Sequence, residues 1–391
     1  MTTNGNTQSD LQFAFGGNAS RVMEKYFLRD AANAALSSKF RLYYLLRPLI
    51  PIWFRQKLQK SRVVGMTDVA ENWHIPESFI EEFAAALKVD AIENPDLAVV
   101  HPWPKPYRMS VALTHDVETR AGVLLVDRLA KLEESYGFRS CWNFIPYKYK
   151  IEPELIEDLK QRGHEIGVHG YNHDGRLFSS KRVFNKRREP IKRAFESFGA
   201  TGFRAPMVHR NLDWILSFGS DYDASCFDID PFQAMPGGVG SAWPFMKKGM
   251  VELPYSLPQD HTLFIALAQN DISVWVRKLE FLRRWCGMGM LVTHPDYLDT
   301  ESRLDLYRQF LEHLKSQSDI WFALPMEIAK WWRERDASSV ESDLSIAGPA
   351  SDRGQILKLA ELVHGDDFKP ENEPASSHAG LRKDGLSANA R

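Results

Sequence analysis

Cysteine is scarce in this sequence: Cys141, Cys226 and Cys286 are the three in 391 residues. An odd number so widely spaced excludes a disulfide-stapled framework and a thiolate metal cage, and it suits a reducing compartment. Net charge is also lacking. With 49 Lys and Arg against 51 Asp and Glu, no overall field draws nucleic acid, so a charged partner must meet a local patch. Nor is there an uninterrupted apolar run of the roughly 18 residues that a membrane span requires. The opening MTTNGNTQSDLQFAFGGNAS has neither the basic start nor the apolar centre of an export signal. Cytoplasmic residence is expected, with association at the inner face of the membrane through one segment.

What is present is a hydrophobic content of 44%, enough for a sizeable core. Residues 1–20 and 337–391 are polar and poor in aromatics, and both read as disordered ends, the second holding only a short amphipathic stretch, QILKLAELV. Residues 21–100 carry helical patterns such as IPESFIEEFAAALKV, in which Ser78 and Glu81 have capping-box spacing. Within this helical extension, 41–62 holds six basic and no acidic residues around an apolar centre broken by Pro48 and Pro51. It is either an arm packed on the main domain or a peripheral contact with anionic lipid.

From 101 to 336 the pattern changes to strand-like runs (MSVALT, FRSCWNFI, HEIGVH, GFRA, GMLVTH) alternating with helical stretches. Such alternation predicts an α/β fold with a parallel sheet, doubly wound or closed as a barrel. Catalytic groups then gather at the C-terminal ends of the strands, where the loops converge. The polar residues at those ends are Asp116, Glu118, His169, His173, Arg204 and His294. Strand alternation puts Asp116 and Glu118 on one face and His115 on the other. Two histidines four positions apart beside one carboxylate make three ligands with room for water, the donor set of a catalytic zinc site rather than a closed structural one.

At these residues the chain resembles the polysaccharide deacetylases with the NodB homology domain, carbohydrate esterase family 4. GHEIGVHGYNH is similar to the family's second motif, HDVE to a variant of the first, FRAP to the third and LVTH to the fifth, in family order. The resemblance implies a distorted (β/α) barrel that hydrolyses N-acetyl groups from an N-acetylated glycan or lipid-linked glycan precursor, using zinc or another divalent metal. It implies Asp116 as general base, held by Arg204, and His294 as general acid. Glu118, His169 and His173 would be the metal ligands, and the Met207 N–H an oxyanion donor.

The match departs from the common pattern in places. Val117 separates the two carboxylates of the first motif, Met207 stands where an aromatic is common, and Val292 where a leucine is usual. The fourth motif is expected in DYDASCFDIDPF, with Asp228 the carboxylate that tunes His294 and Asp230 and Asp223 close behind. Gln259 and His261 are candidates to line the substrate groove, and Trp243 to stack on a sugar ring. His164 is expected to be a structural hydrogen-bonder. A metal-poor cyclic-amide hydrolase and a non-catalytic glycan-binding or assembly protein are the competing readings of the same fold.

Overall fold

The computed structural model describes residues 10–31, 73–233 and 238–364, with six further positions at 42, 46, 50, 51, 54 and 66. Most of the basic segment 41–62 and the end of the tail, 365–391, lie outside the described residues. No described helix is long and apolar enough to cross a membrane.

The strands are β1 (Leu11–Gln12), β2 (Ala98–Val100), β3 (Met109–Val117), β4 (Ser140–Phe144), β5 (Glu165–His169), β6 (Gly202–Arg204), β7 (Tyr222–Asp223), β8 (Phe245–Lys247), β9 (Met250–Glu252), β10 (Met288–Thr293) and β11 (Ile320–Phe322). The main sheet runs β1-β8-β9-β7-β6-β5-β4-β3-β10, with β11 also on β3. From β9 to β10 every pairing is parallel. β3, β4, β5 and β10 are buried along their whole length. Two-sided burial explains why they read as continuous apolar runs rather than as alternation.

The segment after β9 curls the sheet toward closure. Ser256 and Leu257 both donate backbone N–H groups to Met290 O on β10, at 3.2 and 3.1 Å. The result is the distorted (β/α) barrel expected. Its crossover helices include Arg120–Tyr136 after β3 and Lys181–Phe198 after β5, each N-capped by the preceding side chain, Thr119 and Ser180, and each ended by a left-handed glycine, Gly137 and Gly199.

The two chain ends differ from expectation. Leu11–Gln12 pairs with β8, and Asp90 caps the helix Gly17–Ala31 by accepting the N–H groups of Asn18 and Ala19. Beyond 336, short strands form at Ser339–Val340, Ile346–Ala347 and Ile356–Lys358, the last pairing with β2, and Leu359 and Leu362 are buried. The buried Arg335 binds both sides of this junction, donating to Val100 O and Ala14 O. Low aromatic content misleads here because the tail contributes a few aliphatic residues to a core built by other segments. In the extension the helix begins at Glu77 with Pro76 at the N-cap, which places Ser78 inside the first turn.

Candidate active site

Register builds the site. His169 lies beside Arg204, Asp116 beside Asn143 and His115 beside Thr293, so residues at or just past four strand ends meet at one mouth. Arg204 is 2% exposed and fully engaged. Its Nη1 donates to Asp116 Oδ1 at 3.0 Å and Thr114 Oγ1 at 2.8 Å, and its Nε to Ala224 O at 3.0 Å. Burial alone would raise Asp116, but His169 and Arg204 beside it hold the carboxyl below its ordinary value.

Glu118 Oε1 lies 2.7 Å from His173 Nε2 and 3.7 Å from both His169 Nε2 and His294 Nε2. One ligand atom from each of Glu118, His169 and His173 falls within 4.8 Å of the others. His169 Nε2 and His173 Nε2 are buried with no hydrogen bond of acceptable geometry, an uncommon state for buried nitrogen. His169 Nδ1 is 3.1 Å from Arg204 O. That bond fixes the tautomer whose Nε2 lone pair faces the other donors, the usual outer support of a metal-ligating histidine. Two imidazoles and a carboxylate with unspent lone pairs fit a divalent cation such as zinc. His173 reaches the cluster from a left-handed backbone, φ 59°. Gly170, φ +66°, precedes it, where a Cβ would stand 2.3 Å from Pro206 Cγ.

His115 points away, as alternation predicts. It stacks on Trp142 and bonds Glu133 and Thr293, each at 2.7 Å. His164 is a hydrogen-bonder between Ser140 N and Glu134.

His294 takes its partner from a different residue than expected. Asp260 Oδ1 is 2.7 Å from His294 Nδ1, and Asp260 Oδ2 accepts the His294 N–H at 2.6 Å. Burial opposes the charged imidazole, but Asp260, with Glu118 and Asp116, pushes its pKa up to about 10. Asp228 is instead paired with Lys278, whose Nζ also donates to His74 O at 2.6 Å. Asp230 accepts from Thr262 and Phe232 N, and Asp223 from Ser225. The signal for Asp260 lies in VELPYSLPQD, where the closing segment of the barrel runs from β9 to the mouth. Carboxylates in DYDASCFDIDPF are more numerous, yet Asp223, Asp228 and Asp230 are engaged by Ser225, Lys278 and Thr262 rather than by His294.

Trp243 is also corrected. It is completely buried, and its Nε1 donates to Trp285 O and Cys286 O, both at 3.1 Å, so it packs in the core rather than against a sugar. Gln259 is buried and donates to Tyr255 Oη at 2.8 Å. His261 is half-buried beside Tyr297, ring centroids 5.5 Å apart, and Tyr297 is 4.9 Å from the His294 ring. Met207 occupies the left-handed region, φ 56° and ψ 25°, in the turn after β6.

Residues 105–215 match the family model described as polysaccharide deacetylase. Through this segment the chain is similar to the polysaccharide deacetylases. A peptidoglycan deacetylase of Helicobacter pylori is 22% identical over 256 residues, covering 55% of this chain and 86% of the relative. Among solved structures, one named as a polysaccharide deacetylase from Mycobacterium smegmatis has a TM-score of 0.50 and 22% identity, covering 61% of this chain and 94% of its own. At that identity the structural likeness speaks for the barrel alone.

Proposed function

We propose that the protein is a metal-dependent hydrolase that removes N-acetyl groups from an amino sugar in a polysaccharide or its precursor. One observation carries the reading: a Glu118–His169–His173 donor set, with His169 Nε2 and His173 Nε2 buried and without a hydrogen-bond partner, lies between a fixed carboxylate, Asp116, and a carboxylate-backed imidazole, His294. A divalent ion held there, zinc by its fit to two imidazoles and a carboxylate, supplies Lewis acidity toward the acyl oxygen and toward water.

The remaining steps belong to side chains of this chain. Asp116 Oδ1 is tied down by Arg204, while Oδ2 faces the donor set and accepts the proton of the attacking water. The oxyanion is assigned to the Met207 N–H. Amide cleavage also requires a protonated leaving amine, and His294, kept in its acid form by Asp260, donates that proton.

The substrate we assign is an N-acetylated glycan or its lipid-linked precursor met on the cytoplasmic side. The basic segment 41–62 is the assigned membrane contact. Metal analysis of the purified protein, coupled to acetate release from a panel of N-acetylated glycans, tests the reading. The expected result is near-stoichiometric zinc and chelator-sensitive acetate release. Full activity after exhaustive chelation would overturn it.

A further inference from the structure

We propose that Asn143 is a positioning residue for Asp116, and that Gly167 is required beside it because any side chain there would displace the Asn143 amide. The inference rests on the hydrolytic reading of the site and adds a residue that the sequence motifs do not contain.

Asn143 lies in the centre of the barrel, on β4, in register with Asp116 on β3 and with Gly167 on β5. It is 3% exposed, and a polar side chain in such a place must account for its hydrogen bonds. Its Nδ2 donates to Asp116 Oδ1 at 3.0 Å, the same oxygen that Arg204 Nη1 reaches at 3.0 Å. Two donors from two different strands engage Oδ1 and fix the plane of the carboxylate. Oδ2 is thereby left facing the donor set, 3.7 Å from His169 Nε2, as the acceptor for a proton. One contact alone would leave the carboxylate free to turn about its last torsion, which is broad and roughly two-fold.

The amide of Asn143 is itself held in this orientation. Its Oδ1 accepts from Cys141 Sγ at 3.7 Å, so the nitrogen must point toward Asp116. Gly167 supplies the space. A Cβ built there would stand 2.1 Å from Asn143 Oδ1. Gly167 is absent from the glycines with positive φ, so conformational freedom does not explain a residue that ordinarily weakens a strand interior. Close approach of a neighbouring group does.

The test uses the full-length, zinc-loaded protein with Asn143→Leu and Gly167→Ala, each measured for kcat, KM, zinc content and crystal structure. The expected result is a roughly 10- to 100-fold loss of kcat in both variants, of the size that misaligning a general base produces, with KM within about twofold of the parent. Zinc content should be unchanged, and the Asp116 carboxylate turned relative to the parent structure. Unchanged kcat in a folded, zinc-loaded Asn143→Leu protein, or an Asp116 carboxylate that keeps its orientation, would overturn the proposal. Should Asn143→Leu fail to fold, Gly167→Ala and Asn143→Ala decide by the same readouts. Should the parent protein release no acetate at all, the functional reading fails, and carboxylate orientation in the crystals still decides this one.

Discussion

Asp260 and His294 are joined twice, through Oδ1 to the ring Nδ1 at 2.7 Å and through Oδ2 to the backbone N–H at 2.6 Å. The double contact sets both where the imidazole sits and which way its ring faces. His294 Nε2 is left pointing toward Glu118 Oε1, 3.7 Å away. A carboxylate in this position stabilises the imidazolium without itself taking the proton.

Asp260→Asn should therefore lower kcat by roughly 100-fold, within the range for impairing a general acid, and move the basic limb of the pH–rate profile to lower pH. The sign follows from the shift: burial opposes the imidazolium, Asp260 more than offsets it, and the pKa stands at about 10. The stability this contributes is fully present below the ordinary histidine value of about 6.5 and is lost as pH rises through the folded value. In Asp260→Asn that alkaline loss should vanish, which pH-dependent denaturation will show. Asp228→Asn should leave the pH–rate profile in place, which separates the two carboxylates directly.

Asp228 and Lys278 form a buried ion pair, with the amine 0% and the carboxylate 3% exposed as side chains. Lys278→Met leaves the carboxylate uncompensated and removes the donor to His74 O. A loss of about 3–5 kcal/mol is expected from breaking a buried pair on one side. The double variant Asp228→Leu with Lys278→Met should recover a large part of it, measured by chemical denaturation. Additive losses would show that the pair has no coupling.

The extent to which all this was readable in sequence differs by distance along the chain. Asp116, Glu118, His169 and His173 lie within short strings whose strand alternation and spacing predict a shared face, and register in the folded barrel brings them together. Asp260 is 34 residues from His294, and no local periodicity links them. What links them is closure, the hydrogen bonds from Ser256 and Leu257 to Met290. Asn143 was invisible for a related reason: inside SCWNFI it reads as one polar residue in a buried strand, and its purpose depends on a glycine in the neighbouring strand. Trp243 failed in the other direction. An aromatic in a glycine-rich segment suggests a ligand platform, yet its ring packs on Phe15 and Phe83, contributed by the N-terminal segments.

A second pair of carboxyls, Asp223 on β7 and Glu252 on β9, face each other in register, and both are 0% exposed. Burial, and then the charge of Glu252, push Asp223 well above the usual carboxyl range. A raised folded-state value means that the contribution to stability is complete below the ordinary aspartate value of about 3.9 and is lost as pH rises through the folded value. Glu252→Gln keeps an acceptor for Cys226 N, now at 2.7 Å, and supplies an amide donor to Asp223. It should raise stability by about 1–2 kcal/mol at alkaline pH, the scale of one buried hydrogen bond, and make little difference in acid. Thermal unfolding across pH checks both arms.

Removal of single ligands gives the most direct reading of the metal site. Glu118→Ala, His169→Ala and His173→Ala should each reduce bound zinc well below one equivalent, while Arg204→Lys, which keeps a cation near Asp116 but not the guanidinium's further bonds to Thr114 Oγ1 and Ala224 O, should retain zinc and lose activity. Ligand binding to the native state alone stabilises it by about 2.7 kcal/mol at a hundredfold excess over Kd. Zinc added to chelator-stripped parent protein should accordingly raise the unfolding midpoint, and in the three ligand variants it should leave the midpoint unchanged. Glu118 is the decisive case, because Val117 sets it one residue farther from Asp116 than in the common motif and the longer glutamate arm must span the difference. Its Oε1 already lies 2.7 Å from His173 Nε2. If Glu118→Ala bound zinc as tightly as the parent, the carboxylate would not be a ligand, and two histidines would have to hold the ion with Asp116, which would remove the general base from the proposed mechanism.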